Sequence, residues 1–499
     1  MGPSLSEVRE RLDALRGQIQ VLVNEAATAG LSVGVLHEGT LVHTSHYGYQ
    51  NLREKESPND DTVYHLASLS KALVAAGLGV LVDEGKLSWD TRLVDIDLSP
   101  RFHQRDKEVE AHTTIRDILA HRMGLSMRMN YWAQMEQELL LPPNEAINVL
   151  GDLNKLADFR TTIKYNNWTY AVAALIIEKL AGKSVEEFMQ ETFFRPLGLT
   201  RTTFASTPAD NCASAHITLS DGTPFEVPSP RIGNGTLLCG AAGMKSSIRD
   251  SLVLYDAFLS ALEDQTSTGL SSTPGNPIRK AVDLFTTQNK KGTTEYGLGW
   301  FLTELPADIG WIGINDGRVK ENPIIAIVIL GNTLAFADLP DYVGGLILNT
   351  ILGSDDEVDF VSLVRECKAV SINAPLKTAA QLRAEKKEGT THLPLESYVG
   401  RYVNSMGNLA LTVTVLGDAG LRLRLNDLPG TYYDLKHYHD DVFAWDCDRD
   451  AEVKRVMFPQ LSVEFRKIYF KTDGEGVVKA IHWAYARDEP KGEEFLKQE

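Results

Sequence analysis

Ser68 stands three residues before Lys71 in the stretch Tyr64-His-Leu-Ala-Ser-Leu-Ser-Lys, at the head of a long apolar run. On a helix, positions i and i+3 share a face, so the amine can reach the hydroxyl. A serine at a helix start also lies near the positive end of the helix dipole, which favours a developing alkoxide. A lysine acts as a base near neutral pH only if burial or a neighbouring cation lowers its pKa from about 10.4. Together these give the logic of the S-x-x-K motif of serine acyl-transfer enzymes. The plain alternative is a helix-capping serine with a solvated lysine one turn on. In a chain of this size one such spacing is expected by chance. The apolar run ALVAAGLGVLV argues the other way, because a lysine heading a buried helix is unusual unless it is used.

A base and a nucleophile still need a route for a proton to the leaving group. Tyr165 and Asn167 form a Y-x-N at the head of another apolar helix, in YNNWTYAVAALIIEKLAGKS. The phenol (or phenolate) of Tyr165 is placed to carry the proton, and the Asn167 amide to hold a substrate carbonyl. Two other Y-x-N triplets, Tyr49-Gln50-Asn51 and Tyr402-Val403-Asn404, read as turn residues.

Around these residues the chain supplies positioning elements. Residues 5–28 have helical periodicity. The runs LSVGVLHEG and TLVHTSHYGYQ read as strands joined at a Glu-Gly turn. Helices are expected from near Ser68 to Gly85, over TTIRDILAHRMGL, over one long stretch TYAVAALIIEKLAGKSVEEFMQETF, and over SSIRDSLVLYDAFLSAL. Strands return at YGLGWFL and NPIIAIVILGN, followed by a helix near DYVGGLILNTIL. Strands at both ends with helices between predict an α+β fold, its sheet built from both ends and packed on helices. The expected division is a first domain over 1–365, a polar linker over 366–392 and an all-β domain over 393–499, where short period-2 strands predict a small barrel or sandwich.

Taken together, YHLASLSKALVAAGLGVLVDEGKLSWDTRL, TTIRDILAHRMGL, YNNWTYAVAALIIEKLAGKS, GAAGMKSS and YGLGW resemble successive landmarks of the serine β-lactamase-like family. That family includes class C β-lactamases, D,D-peptidases, esterases and statin-pathway acyltransferases. The order and rough spacing match over about residues 20–355, and the YNNW form with a C-terminal β domain is similar to fungal members. The resemblance implies a transpeptidase-like antiparallel sheet flanked by helices, followed by a lipocalin-like barrel. It implies Ser68 as nucleophile, Lys71 as its base, Tyr165 as proton relay and Asn167 as a substrate contact.

The third landmark of that family, Lys-Thr-Gly or His-x-Gly on the strand lining the site, departs from pattern. Between YGLGW and IIAIVILGN stands FLTELPADIGWIGINDGRVKENP, without a histidine. Either Trp311 replaces the cation and Trp311-Ile312-Gly313 forms the strand, with Gly313 as a substrate contact, or the block carrying the motif is absent. The short gap from Gly317 to Ile324 favours the second. Lys471-Thr472-Asp473-Gly474 is no replacement, because it falls at a hairpin turn of the β domain. Without Lys-Thr-Gly, ester, thioester or amide acyl donors are expected ahead of β-lactams.

The remaining composition narrows the field. Acidic residues outnumber basic ones, 67 to 50, for a net charge of −17, with no basic block. Nucleic acid and anionic membrane are therefore not expected as partners; a small-molecule acyl substrate is. Oligomeric state is open. The four cysteines lie far apart without a CxxC, and the amino-terminal stretch lacks the apolar core of a signal peptide. A cytoplasmic enzyme is the expectation. His437, His439, Asp440 and Asp441 read as a solvated strand end rather than a metal site. With no HExxH, P-loop or G-x-G-x-x-G, no metal or organic cofactor is expected. Trp132 reads as an aromatic of a half-buried helix.

Overall fold

The computed structural model describes residues 4–131, 135–206, 210–292, 294–303, 325–353, 358–417, 420–457 and 460–499. Trp132, Trp311, Gly313 and Gly317 lie outside them.

The first region is built on an antiparallel sheet in which strand Gly30–His37 lies between Thr40–Gly48 and Ile325–Gly331. Early and late segments of the chain thus share one sheet. Glu38 and Gly39 both take positive φ, 49° and 69°, so the two-residue connection has the twist that hairpins favour. The central strand is buried along its whole length, because helices cover both faces. Leu31, Val33 and Val35 face one apolar cluster with Leu12, Ile19, Leu22 and Val343. On the other face Gly34 lies against helix Ile248–Thr268; a Cβ there would stand 2.7 Å from Ile248 Cγ2.

The helical region centres on Ser70–Asp83, which is almost wholly buried, packed on Asn167–Ala181 and the short helix Cys239–Ala242. The long helix expected after Tyr165 is divided. Gly182, at φ 67°, ends the first part, and the Ser184–Glu187 capping box starts a new one. The sequence pattern ran through this break because the apolar stripe resumes after it.

Gly240 lets the short helix touch its neighbour: a Cβ would lie 2.3 Å from the Tyr170 carbonyl oxygen and 2.8 Å from Ala174 Cβ. Backbone cannot yield as a flexible side chain can. Gly240→Ala is therefore expected to cost about 1–3 kcal/mol. Thermal unfolding would show a Tm lower by several degrees; an unchanged Tm would mean that the contact relaxes without cost.

The stretch expected as a linker is helical for most of its length, within Phe360–Glu385. Its Ala, Leu, Lys, Gln and Glu residues are good helix formers, and Asp359 caps the start by accepting from the Ser362 N–H. Polarity alone suggested a loop; it is the solvated face of a helix docked on Arg16–Ala26.

From Gly400 the chain forms a closed eight-stranded antiparallel barrel in which each strand pairs with the next and Gly400–Val403 pairs with Glu493–Lys497. Aromatic rings fill it: Tyr433 and Trp445 lie 4.3 Å apart between centroids, Tyr398 and Phe470 4.7 Å. Among the described residues no helix is long and apolar enough to cross a membrane.

Candidate active site

Ser68 sits in a single 3₁₀ turn, Ala67–Leu69, and the α-helix proper begins at Ser70. The serine is not the helix cap. Ser70 serves the local backbone instead, its Oγ donating to the Ala67 carbonyl (2.6 Å) and accepting from the Met244 N–H (2.9 Å). Ala67 before it is held in the left-handed region, φ 45°, a strained geometry for an alanine. This arrangement leaves Ser68 exposed while Lys71, three residues on, is 1% exposed.

Lys71 Nζ donates to Ser68 Oγ at 3.1 Å and to the Ala241 carbonyl at 2.8 Å. Among the described residues no carboxylate pairs with it. Burial alone pushes its pKa far below the ordinary lysine value, which favours the neutral amine. The two segments that meet Lys71 are set by glycines: Gly240 as above, and Gly299 of the YGLGW stretch, at φ 88°, whose Cβ would stand 2.9 Å from the Lys71 carbonyl oxygen.

Tyr165 closes the group. Its hydroxyl faces the Ser68 side chain, and its ring centroid is 4.9 Å from Lys71 Nζ. Burial pushes its pKa up to about 12, so the phenol, and not the phenolate, is the resting form. Asn167 is the first residue of helix Asn167–Ala181 and is half-buried. The structure therefore gathers Ser68, Lys71 and Tyr165 around one point, with Asn167 two residues from Tyr165. Gly313 is outside the described residues.

Sequence reasoning missed two residues here. Asn166, between the two singled out, caps the helix by accepting the Trp168 N–H (2.9 Å), and its Nδ2 donates to the Ser126 carbonyl (2.8 Å). His121 accepts the Asn166 N–H at Nδ1 (3.1 Å), which assigns its proton to Nε2. Its ring lies 4.4 Å from Tyr165 and 4.8 Å from Tyr296. Burial, with a smaller contribution from the Lys71 charge, drives the His121 pKa far down and keeps it neutral. The signal for Asn166 was present, an Asn directly before an apolar helix. His121 had none, since its partners are remote in sequence.

A second hydrogen-bonded line resembles a serine triad. Asp60 faces His46 Nε2 at 2.9 Å, and His46 Nδ1 faces Ser32 Oγ at 2.9 Å. Ser32 is fully buried in the central strand and is also bonded to the Tyr64 hydroxyl (2.8 Å), so no acyl donor can approach it. Its effect is to tie the strand carrying Tyr64 to the sheet. His437, His439 and Asp440 lie at the hairpin joining Tyr432–His439 to Val442–Ala444, with His439 Nδ1 3.2 Å from Asp440 Oδ2. Among the described residues no group of three or more His, Cys, Asp or Glu side chains converges as a metal site.

Residues 384–499 match a domain of unknown function, DUF3471. The chain is 27% identical over 280 residues to Unguisins hydrolase ungD' of Aspergillus campestris, covering 54% of this chain and 51% of that one. It is 28% identical over 197 residues to Penicillin-binding protein 4 of Amycolatopsis lactamdurans, covering 38% of this chain and 47% of that one. The chain thus spans about half the length of these relatives. Among solved structures, the octameric penicillin-binding protein homologue from Pyrococcus abyssi is 18% identical with a TM-score of 0.57, covering 97% of this chain and 100% of that one. EstCE1, a hydrolase with promiscuous acyltransferase activity, is 19% identical with a TM-score of 0.55, covering 70% and 99%. At such identities these two likenesses show the fold. Residues 15–341, well over half of the chain, match the family described as Beta-lactamase, and the chain belongs to that family.

Proposed function

We propose that this protein is a serine hydrolase or acyltransferase that takes an acyl group from a small-molecule ester, thioester or amide onto Ser68. The observation that carries this reading is an exposed hydroxyl 3.1 Å from a buried amine without a carboxylate partner among the described residues. A neutral amine in that place is a base, not a structural cation. Relatives named as hydrolases and penicillin-binding proteins support the same chemistry.

In the first step the Ser68 hydroxyl proton passes to Lys71 Nζ as Oγ attacks the acyl carbon. The Ser68 backbone N–H is one donor this reading assigns to the developing oxyanion; the second is expected from the strand of the third motif, which falls outside the described residues. Collapse breaks the bond to the leaving group, which takes the Tyr165 proton, and Tyr165 recovers one from the Lys71 ammonium beside it. Lys71, neutral again, then deprotonates the water, alcohol or amine that removes the acyl group. With its pKa pushed up to about 12 by burial, Tyr165 enters the reaction as the phenol, and in this reading it is the proton donor.

The contrasting reading, a binding protein that keeps the fold without the chemistry, would be favoured by Lys71 lying beyond reach of Ser68; the 3.1 Å contact speaks against it. The deciding experiment is intact-protein mass after incubation with a p-nitrophenyl acyl ester, with peptide mapping. The expected result is one acyl group on Ser68. A folded protein that gains no mass would overturn the proposal.

Tyr165→Phe keeps the ring against His121 and removes the proton. Turnover of alkyl esters is expected to fall by about 10²–10⁴, the usual worth of a positioned acid–base group. A p-nitrophenyl ester, whose leaving group departs as the anion, should lose far less. Equal losses on both would remove Tyr165 from proton transfer.

A further inference from the structure

We infer that the carboxy-terminal barrel is a working part of this site, and that Glu489 is its positioning residue. The inference rests on the proposed function for its catalytic meaning. Its structural basis is a three-residue segment, Ser126–Met127–Arg128, gripped from two sides.

On one side stands the barrel. Glu489, between strands Val478–Trp483 and Glu493–Lys497, accepts from the Ser126 hydroxyl, from Arg128 Nε (3.0 Å) and Nη2 (3.3 Å), and from Asn154 Nδ2 (2.7 Å). Its neighbour Asp488 accepts the Met127 N–H. Arg128 is 3% exposed, and its Nη1 reaches Asp152 at 2.8 Å. On the other side stands the candidate site. The Ser126 carbonyl accepts Asn166 Nδ2, and the Met127 carbonyl accepts Trp168 Nε1, each at 2.8 Å.

The geometry makes the segment a strut. The Ser126 and Arg128 side chains and the Met127 N–H reach the barrel, while the Ser126 and Met127 carbonyls reach Asn166 and Trp168 at the start of the helix that follows Tyr165. Arg128 holds φ 36°, which costs energy unless the surroundings dictate it. A charge-assisted pair buried on both partners supplies that constraint, and removing the Glu489 charge would leave Arg128 with Asp152 alone. Nothing else in the barrel is needed near Ser68 for this to work. It acts at a distance by fixing Asn166, the residue between the proton relay and the substrate contact.

Glu489→Gln keeps the shape and removes the charge. The first readout is independent of catalysis: hydrogen exchange at the Asn166 and Trp168 amides, which bond to His121 Nδ1 and Asn166 Oδ1. Exchange there should quicken while helix Ser70–Asp83 keeps its protection. The second is the ratio of alkyl-ester to p-nitrophenyl-ester turnover. Misplacing Tyr165 should lower the alkyl rate by about 10²-fold, as small displacements in an acyl-transfer site do, and leave the p-nitrophenyl rate nearly unchanged. In a Tyr165→Phe background the same substitution should add little. General loosening would lower both rates in parallel. Unchanged exchange at Asn166 and Trp168 in folded Glu489→Gln protein, or parallel loss on both esters, overturns the inference.

Should Glu489→Gln fail to fold, Ser126→Ala removes one of the four donors. A several-fold fall on alkyl esters alone then supports the strut, and wild-type behaviour on both esters overturns it. A wild-type protein that never acylates Ser68 counts against the proposed function, and the exchange measurement still decides the coupling.

Discussion

Ser68→Ala is expected to remove the acyl adduct and to lower kcat/KM for a p-nitrophenyl acyl ester by a factor whose size is itself informative. Loss of the nucleophile in a complete serine enzyme costs on the order of 10⁶. One missing oxyanion donor costs the wild type about 10²–10³ before any substitution is made. A fall near 10⁶ therefore means that both donors are in place, with Gly313 or its strand serving the site. A fall of about 10³–10⁴ means that the wild type already works without the second donor. Stability should hardly move, because Ser68 is exposed and Ser70 makes the local backbone contacts. Unchanged turnover of every accepted ester would end the proposal that Ser68 carries the acyl group.

What could be read from the sequence was what is local. Ser68 and Lys71 are three residues apart, so the chain itself brings them together. Tyr165 and Asn167 mark a helix start, and period-2 alternation after residue 393 marks the barrel strands. The two strands at the amino end and the run IIAIVIL were legible as sheet, though their pairing across some 300 residues rested on the fold-level expectation. His121 was illegible for the opposite reason. A lone histidine in ILAHRMGL shows nothing until Asn166, Tyr165 and Tyr296 arrive from elsewhere. The contact between Ser126 and Glu489 joins residues 363 apart, and both are common polar residues in unremarkable stretches. The helix Phe360–Glu385 was hidden differently: its exposed face is polar enough to pass for a linker. Surface polarity reports solvent, and an isolated charged segment is solvated whether or not it is helical.

Replacing Lys71 should separate activity from stability. Lys71→Met is expected to lower acylation by about 10⁴–10⁶, the range seen when one member of a catalytic set is removed, because Ser68 then has no group to take its proton. The pH dependence follows from the same burial. Wild-type kcat/KM should rise with pH as Lys71 loses its proton, with a midpoint well below the ordinary lysine value, and the rise should be absent in Lys71→Met. Stability should move the other way. In the unfolded chain Lys71 titrates near about 10.4; in the fold its pKa is depressed. Between those two values the unfolded state binds more protons, so stability rises with pH across that window. The penalty is fully present below the folded pKa and vanishes above the unfolded one. An apolar side chain of similar length removes it, so Lys71→Met should be more stable at neutral pH by about 0.5–2 kcal/mol, as favourable substitutions at strained active sites are. Lys71→Arg keeps a charge at every accessible pH and cannot accept a proton, so it should lose both activity and stability. The measurement is a pair of curves, kcat/KM and Tm against pH, for all three proteins. A Lys71→Met protein less stable than wild type at neutral pH would mean that Lys71 is held charged by groups beyond those that contact it here, and its assignment as the neutral base would fall with that result.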